Sequence, residues 1–192
     1  MNVLLPVLPL RDVSLFPEAS LAVTITTPAA LKAIEVATHT GNRLLALAQR
    51  DAAAGPRDLH AVGTIATLSA TMDDAGAQHV ELDGVQRARA VSILGTDTLV
   101  AEVEPLVEGD PGDDWGSAVE ALARYLHAHA DLRQFLDKQR RSAEPMAWVN
   151  LACQHLPITA SARQRLLEAM AAERCVKIGR GLDALLKKEQ GA

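Results

Sequence analysis

The hydrophobic pattern of this chain changes period once, and that change limits the fold more than any single motif. Up to about residue 106 the apolar residues come in short runs rich in Val, Ile, Thr and Leu: 21–27 (LAVTITT), 43–49 (RLLALAQ), 61–71 (AVGTIATLSAT), 77–84 (AQHVELDG), 85–94 (VQRARAVSIL) and 98–106 (TLVAEVEPL). Several alternate apolar and polar residues, as a half-buried antiparallel strand does. Turn formers separate them: Asp51 to Asp58 with Gly55-Pro56, then Asp73-Asp74-Ala75-Gly76, Asp83-Gly84 and Gly95-Thr96-Asp97. One helix interrupts the series at 28–39, with Pro28 in its first turn and Thr27 at the N-cap. Short, frequent strands without βαβ alternation predict a small twisted barrel or sandwich.

After residues 108–116 (EGDPGDDWG), an acidic Gly/Pro-rich linker by composition, the period becomes helical. Helices are expected over 117–130, 131–142 and 144–156. A fourth starts at Thr159 or Ser161, where Ser161 and Gln164 have the form of a capping box. The last carries Cys175, Ile178, Leu182 and Leu185 on one seam. No helix is apolar all round, so they are expected to pack as a bundle. The fold class that follows is α+β, with a β domain over 1–112 containing one inserted helix and a helical subdomain over 113–192.

Charge supports the same division. Residues 1–112 hold 7 Lys/Arg against 14 Asp/Glu, whereas residues 113–192 hold 12 against 10. A net charge of −5 argues against nucleic acid, which needs clustered cations. No apolar run approaches the ~20 residues of a membrane span, and no signal peptide is legible, so a cytoplasmic protein is expected. Two cysteines without a C-x-x-C partner predict buried reduced thiols rather than a disulfide or a zinc site.

No catalytic constellation is legible. Phosphate-loop, nucleophile-elbow and H-E-x-x-H patterns are absent. His127 and His129, like Cys153 and His155, stand two apart, which on a helix sets them about 200° apart and denies them a shared metal or a thiol–imidazole pair. Arg87 and Arg89 share a strand face and are expected to be held by carboxylates such as Glu102 or Glu104. Gly63 and Gly84 read as structural, at a bulge, tight bend or φ > 0 turn. Neither a cofactor nor a metal is expected.

The run LPVLPLRDVSLFP (5–17), with three prolines, fits neither a central strand nor a helix. Together with RLLALAQRD (43–51), residues 58–91, LVAEVEPL (99–106) and the helical stretch 148–189, it resembles the N-terminal domain of Lon, the ATP-dependent protease. That resemblance implies a PUA-like twisted antiparallel β-barrel followed by helices. It places the opening run as a strand, Arg11-Asp12 at the turn leaving it, and Phe16-Pro17 leading back into the next strand. With no Walker loop and no room for a peptidase module, it implies a stand-alone, non-catalytic domain that recognises unfolded or tagged polypeptides. A separate ATP-dependent protease is a further expected partner, and neither nucleic acid nor membrane is.

A binding groove is expected where barrel and bundle meet. Its candidate residues are Leu15, Phe16 and Trp115 as exposed apolar groups, and the corner of Thr27, Pro28 and Lys32, where the resemblance implies substrate contact. The plainer alternative has Phe16 and Trp115 plugging the barrel–bundle interface. Only five aromatic residues occur, so the groove must be mainly aliphatic. A rival reading is a PUA-like binder of a small molecule or modified nucleotide. An enclosed cavity with convergent polar groups would favour that rival, and an open apolar trough would favour a peptide.

Overall fold

The computed structural model describes residues 3–50, 58–74, 77–140, 142 and 144–191. The turns expected over 51–57 and at Ala75-Gly76 lie outside the described residues. The chain divides into two compact units, Met1–Val107 and Glu108–Ala192.

The first unit is a six-stranded sheet with one helix: β1 (Val3–Leu10), β2 (Ser20–Ile25), α1 (Pro28–His39), β3 (Arg43–Ala48), β4 (Val62–Asp74), β5 (Ala77–Leu94) and β6 (Val100–Pro105). The strand order is β2-β5-β4-β3-β1-β6, with a further pairing of β5 to β6. β5 carries β2 along its first half (Ser20↔Asp83 to Ile25↔Gln78) and β6 along its second (Ala88↔Pro105 to Leu94↔Val100). The sheet therefore curls back on itself, but the six strands do not form one closed barrel, because β2 stays at an edge. Nor is the sheet wholly antiparallel. β1 and β3 run parallel (Val7↔Leu45 to Leu10↔Ala48), an arrangement made possible by the crossover through β2 and α1.

The core of this unit follows from alternation. Leu5 and Val7 of β1, Leu45 and Leu47 of β3, Ile65 of β4, Ala88 of β5 and Ala101 and Val103 of β6 form one buried cluster. α1 contributes Ala30, Ala33, Ile34 and Ala37, the i, i+3, i+4, i+7 stripe of an amphipathic helix. Pro6 and Pro9 sit inside β1, which has a neighbour on each side although a run with three prolines reads as unfit for a central strand: Pro6 pairs with Val100 and Pro9 with Leu47.

Asp83-Gly84 is not a turn. It lies within the 18-residue β5, beside a register shift between Ile65 and Ala66 of β4. The segment between β1 and β2 is laid over this point. Gly84 N–H donates to Ala19 O and Glu18 N–H to Gly84 O, both at 2.9 Å, and Thr64 Oγ1 donates to Leu15 O at 2.5 Å. A Cβ on Gly84 would lie 2.1 Å from Phe16 O, and one on Gly63 would lie 2.1 Å from Ala46 O, so both positions require the bare backbone.

The second unit is helical: α2 (Asp114–Ala128), α3 (Ala130–Gln139), α4 (Pro145–His155), α5 (Ala160–Glu168) and α6 (Ala171–Gln190). α2 begins inside the segment read as linker. Thr159 is the N-cap of α5, its hydroxyl accepting from Ala162 N at 3.2 Å, which displaces the Ser161 alternative. Cys175, Ile178 and Leu182 are buried along α6.

The centre of this unit is a buried cation. The Arg174 guanidinium is fully buried and donates to the Glu108 carboxylate, Asn150 Oδ1, Leu166 O and Ala169 O. That satisfies a charge that burial alone would make costly.

Candidate functional site

The cavity nearest the predicted corner lies wholly within the first unit, where the C-terminal ends of β1 and β3 meet the end of β2, the first turn of α1 and the β5–β6 turn. It is a half-open cleft of about 870 Å³. Pro9, Leu10 and Val13 form one wall, and Val23 and Ile25 another. Thr96, Asp97 and Thr98 close an end. Apolar surface predominates, but Arg11, Lys32, Gln49, Asp97 and five threonines also line the cleft, a mixture that suits an extended segment with a polar backbone and aliphatic side chains.

Four predicted residues line this cleft: Arg11, Thr27, Pro28 and Lys32. Thr27 is the N-cap of α1 by backbone geometry, with φ −82° and ψ 138°, but its side chain makes no capping bond. Pro28 follows in the first turn. Lys32 Nζ pairs with Glu35 at 2.7 Å, and that hydrogen bond and charge hold Glu35 below the usual carboxylate range. Asp12 takes φ 58°, which reverses the chain just after β1 and sets Arg11 at the cleft's rim.

Leu15 and Phe16 do not belong to any surface patch: they are 1% and 0% exposed. The loop carrying them is fastened over β4 and β5, so its apolar side chains point into the unit although no periodicity marks them for burial. Trp115 is half-buried in the first turn of α2, in the helical unit. Arg87, on β5, is almost fully buried at 1% exposure. Arg89 reaches Glu104 at 3.8 Å with both side chains about half exposed, an ordinary surface pair.

Sequence reasoning missed the opposite walls of the cleft. Val13, Val23, Ile25 and Thr96–Thr98 come together only through the curling of the sheet. Their one sequence signal is a cluster of β-branched residues beside turns.

Burial pushes the Cys153 thiol up to about 12, so no thiolate is available to His155, whose own pKa burial lowers. The His129 ring stacks on Tyr125 at 4.1 Å, with Nε2 3.3 Å from Glu189. Among the described residues no three His, Cys, Asp or Glu side chains gather as a metal site, and no helix is long and apolar enough to cross a membrane.

Comparison with known proteins agrees with this architecture. The family model for the "ATP-dependent protease La (LON) substrate-binding domain" matches residues 4–182. Lon protease 1 of Thermus thermophilus is 30% identical over 188 residues, which are 90% of this chain and 23% of that protein. Lon protease of Desulfovibrio desulfuricans is 33% identical over 133 residues, 66% of this chain and 15% of that protein. The chain thus spans about a quarter or less of these relatives' length. Among solved structures, the N-terminal domain of Mycobacterium avium complex Lon protease superposes with a TM-score of 0.78 at 18% identity, covering 95% of this chain and 98% of that one. The Lon N-terminal domain protein from Xanthomonas campestris gives 0.63 at 20% identity, covering 91% and 95%.

Proposed function

Since this chain belongs to the family of substrate-binding domains of the ATP-dependent protease La (Lon), we propose that it binds unfolded or tagged polypeptides in the cleft between β1, β2 and α1, without turning them over. The observation that carries this reading is the cleft itself, a half-open trough with Pro9, Leu10, Val13, Val23 and Ile25 on its walls and Arg11 and Lys32 beside them. The rival small-molecule or nucleotide reading wants an enclosed pocket with converging polar groups, and an acidic β unit disfavours phosphates. In this reading the domain acts as an adaptor or chaperone-like binder that hands segments to an ATP-dependent protease. The two buried free thiols support a reducing, cytosolic setting.

The test is a titration with reduced, carboxymethylated protein against the same protein folded. Saturable binding of the unfolded form alone is expected, weakened by Val13→Asp without a change in melting temperature. Binding no stronger than that of an unrelated acidic protein would refute the proposal.

A further inference from the structure

We infer that the cleft takes polypeptide by strand addition: an extended segment pairs with the outer edge of β2, completing the ladder on the side that β5 leaves open. This rests on the function proposed above and specifies how the backbone is held.

β2 pairs with β5 alone, and among the described residues no backbone hydrogen bond outside that ladder reaches Leu21–Thr26. The register shows which groups face outward. Gly84 N–H donates to Ala19 O in the same alignment that pairs Ser20 with Asp83. Antiparallel ladders alternate bonded and non-bonded pairs, so Leu21, Val23 and Ile25 bond to β5, while Ser20, Ala22 and Thr24 turn their N–H and C=O groups away from it.

The end of that outward edge, at Thr24, borders the cleft, and the rest of it runs on beyond the cleft. A strand showing one face to a cavity contributes every second residue, but here Val23, Thr24 and Ile25 line it in succession. Thr24 does so even though its hydroxyl is engaged with His79 Nδ1 at 3.0 Å. Edges are normally blunted by proline, lysine or a bulge. Ser20–Ile25 (SLAVTI) contains neither residue, and its pairing with β5 shows no register shift.

The occupant is correspondingly defined. Only an extended backbone supplies donors and acceptors at the spacing of the β2 edge, which is about 20 Å long at ~3.3 Å per residue. The flanking walls of Val13, Val23 and Ile25 call for aliphatic or β-branched side chains on one face of the segment. Arg11 and Asp97, both lining the cleft, make no hydrogen bond or ion pair among the described residues, so a carboxylate and a cation on the segment each find a partner.

The experiment uses the whole chain and the fluorescein-labelled peptide Glu-Val-Thr-Val-Thr-Val-Thr-Val-Lys, with two variants N-methylated on every threonine or on every valine. Strand addition uses amides on alternate residues, so one variant is expected to retain the parent's affinity. The other should lose about fivefold per methylated amide, and so become undetectable. On the protein side, Thr24→Pro removes an outward N–H while sparing the β5 backbone ladder, and should abolish peptide binding in a protein that still folds, whereas Thr24→Val, which loses only the hydroxyl bond to His79, should bind normally. Equal affinity of all three peptides would overturn strand addition while leaving polypeptide binding in place, as would a folded Thr24→Pro protein that binds normally. If Thr24→Pro fails to fold, the peptide pair decides alone. Failure of the parent peptide alongside binding of carboxymethylated protein also overturns this mode. Failure of both removes the proposed function with it.

Discussion

Replacing Gly84 by alanine is a sharp test of how the segment between β1 and β2 is held. The new Cβ would lie 2.1 Å from Phe16 O and 2.9 Å from Phe16 C, both backbone atoms, where at least 3.0 Å is needed. The segment must therefore retreat by roughly 1 Å in a core that is already close-packed. Overpacking of this kind costs about 1–3 kcal/mol. Losing one of the two 2.9 Å hydrogen bonds at Gly84 adds about 1 kcal/mol. The expected loss is thus about 3 kcal/mol.

The choice of assay matters, because Trp115, Trp148 and Tyr125 all belong to the helical unit, so a probe placed in the β unit itself is needed. Urea unfolding followed by hydrogen exchange at β4 and β5 amides reads the right region. Gly181→Ala is the control: a Cβ there meets nothing within 4 Å on α6, so stability of the helical unit should rise by up to about 1 kcal/mol. A Gly84→Ala loss below about 0.5 kcal/mol would refute the argument that the Phe16 carbonyl excludes a side chain.

Two further outcomes are expected in the helical unit. Arg174→Met strands the Glu108 carboxylate, Asn150 and two carbonyl groups, and should destabilise by about 3–5 kcal/mol in a tryptophan-monitored denaturation; a change under about 1 kcal/mol would contradict the network's role. The Cys153 thiol is raised from 9.0 to about 12 by burial, so between those values the unfolded state releases a proton that the folded state keeps. Stability should be fully present below pH 9 and fall as pH rises towards 12, and Cys153→Ala should flatten that dependence.

The switch from strands to helices was readable because period-2 and period-3.6 patterns are local properties. The helix at 28–39 could be bounded from Pro28 and its apolar stripe alone. Asp83-Gly84 misled because its turn chemistry is also local, whereas the reason for glycine there is a carbonyl from a residue 68 positions earlier in the chain (84 − 16). Phe16 was misplaced for the same cause: nothing in residues 11–19 records that Thr64 and Gly84 fasten them down. In the candidate site, the corner of Thr27, Pro28 and Lys32 came from the family resemblance. The facing wall, assembled from β1, β2 and the β5–β6 turn, has no contiguous trace. The parallel pairing of β1 with β3 was equally invisible, since alternation gives strand faces but not strand direction.

The pairing of β1 also has a consequence for the order of events during synthesis. Its partners are β3 and, through Val3↔Val103, a strand made almost at the end of the unit. β4 and β5, by contrast, adjoin in sequence and can pair as soon as they emerge. The apolar β1 must therefore remain without its second neighbour until about a hundred residues have left the ribosome. Long-range closure of this kind slows folding and lengthens exposure to misassociation. Nascent chains arrested before Val100 should expose β1 to proteases while β4 and β5 are already protected.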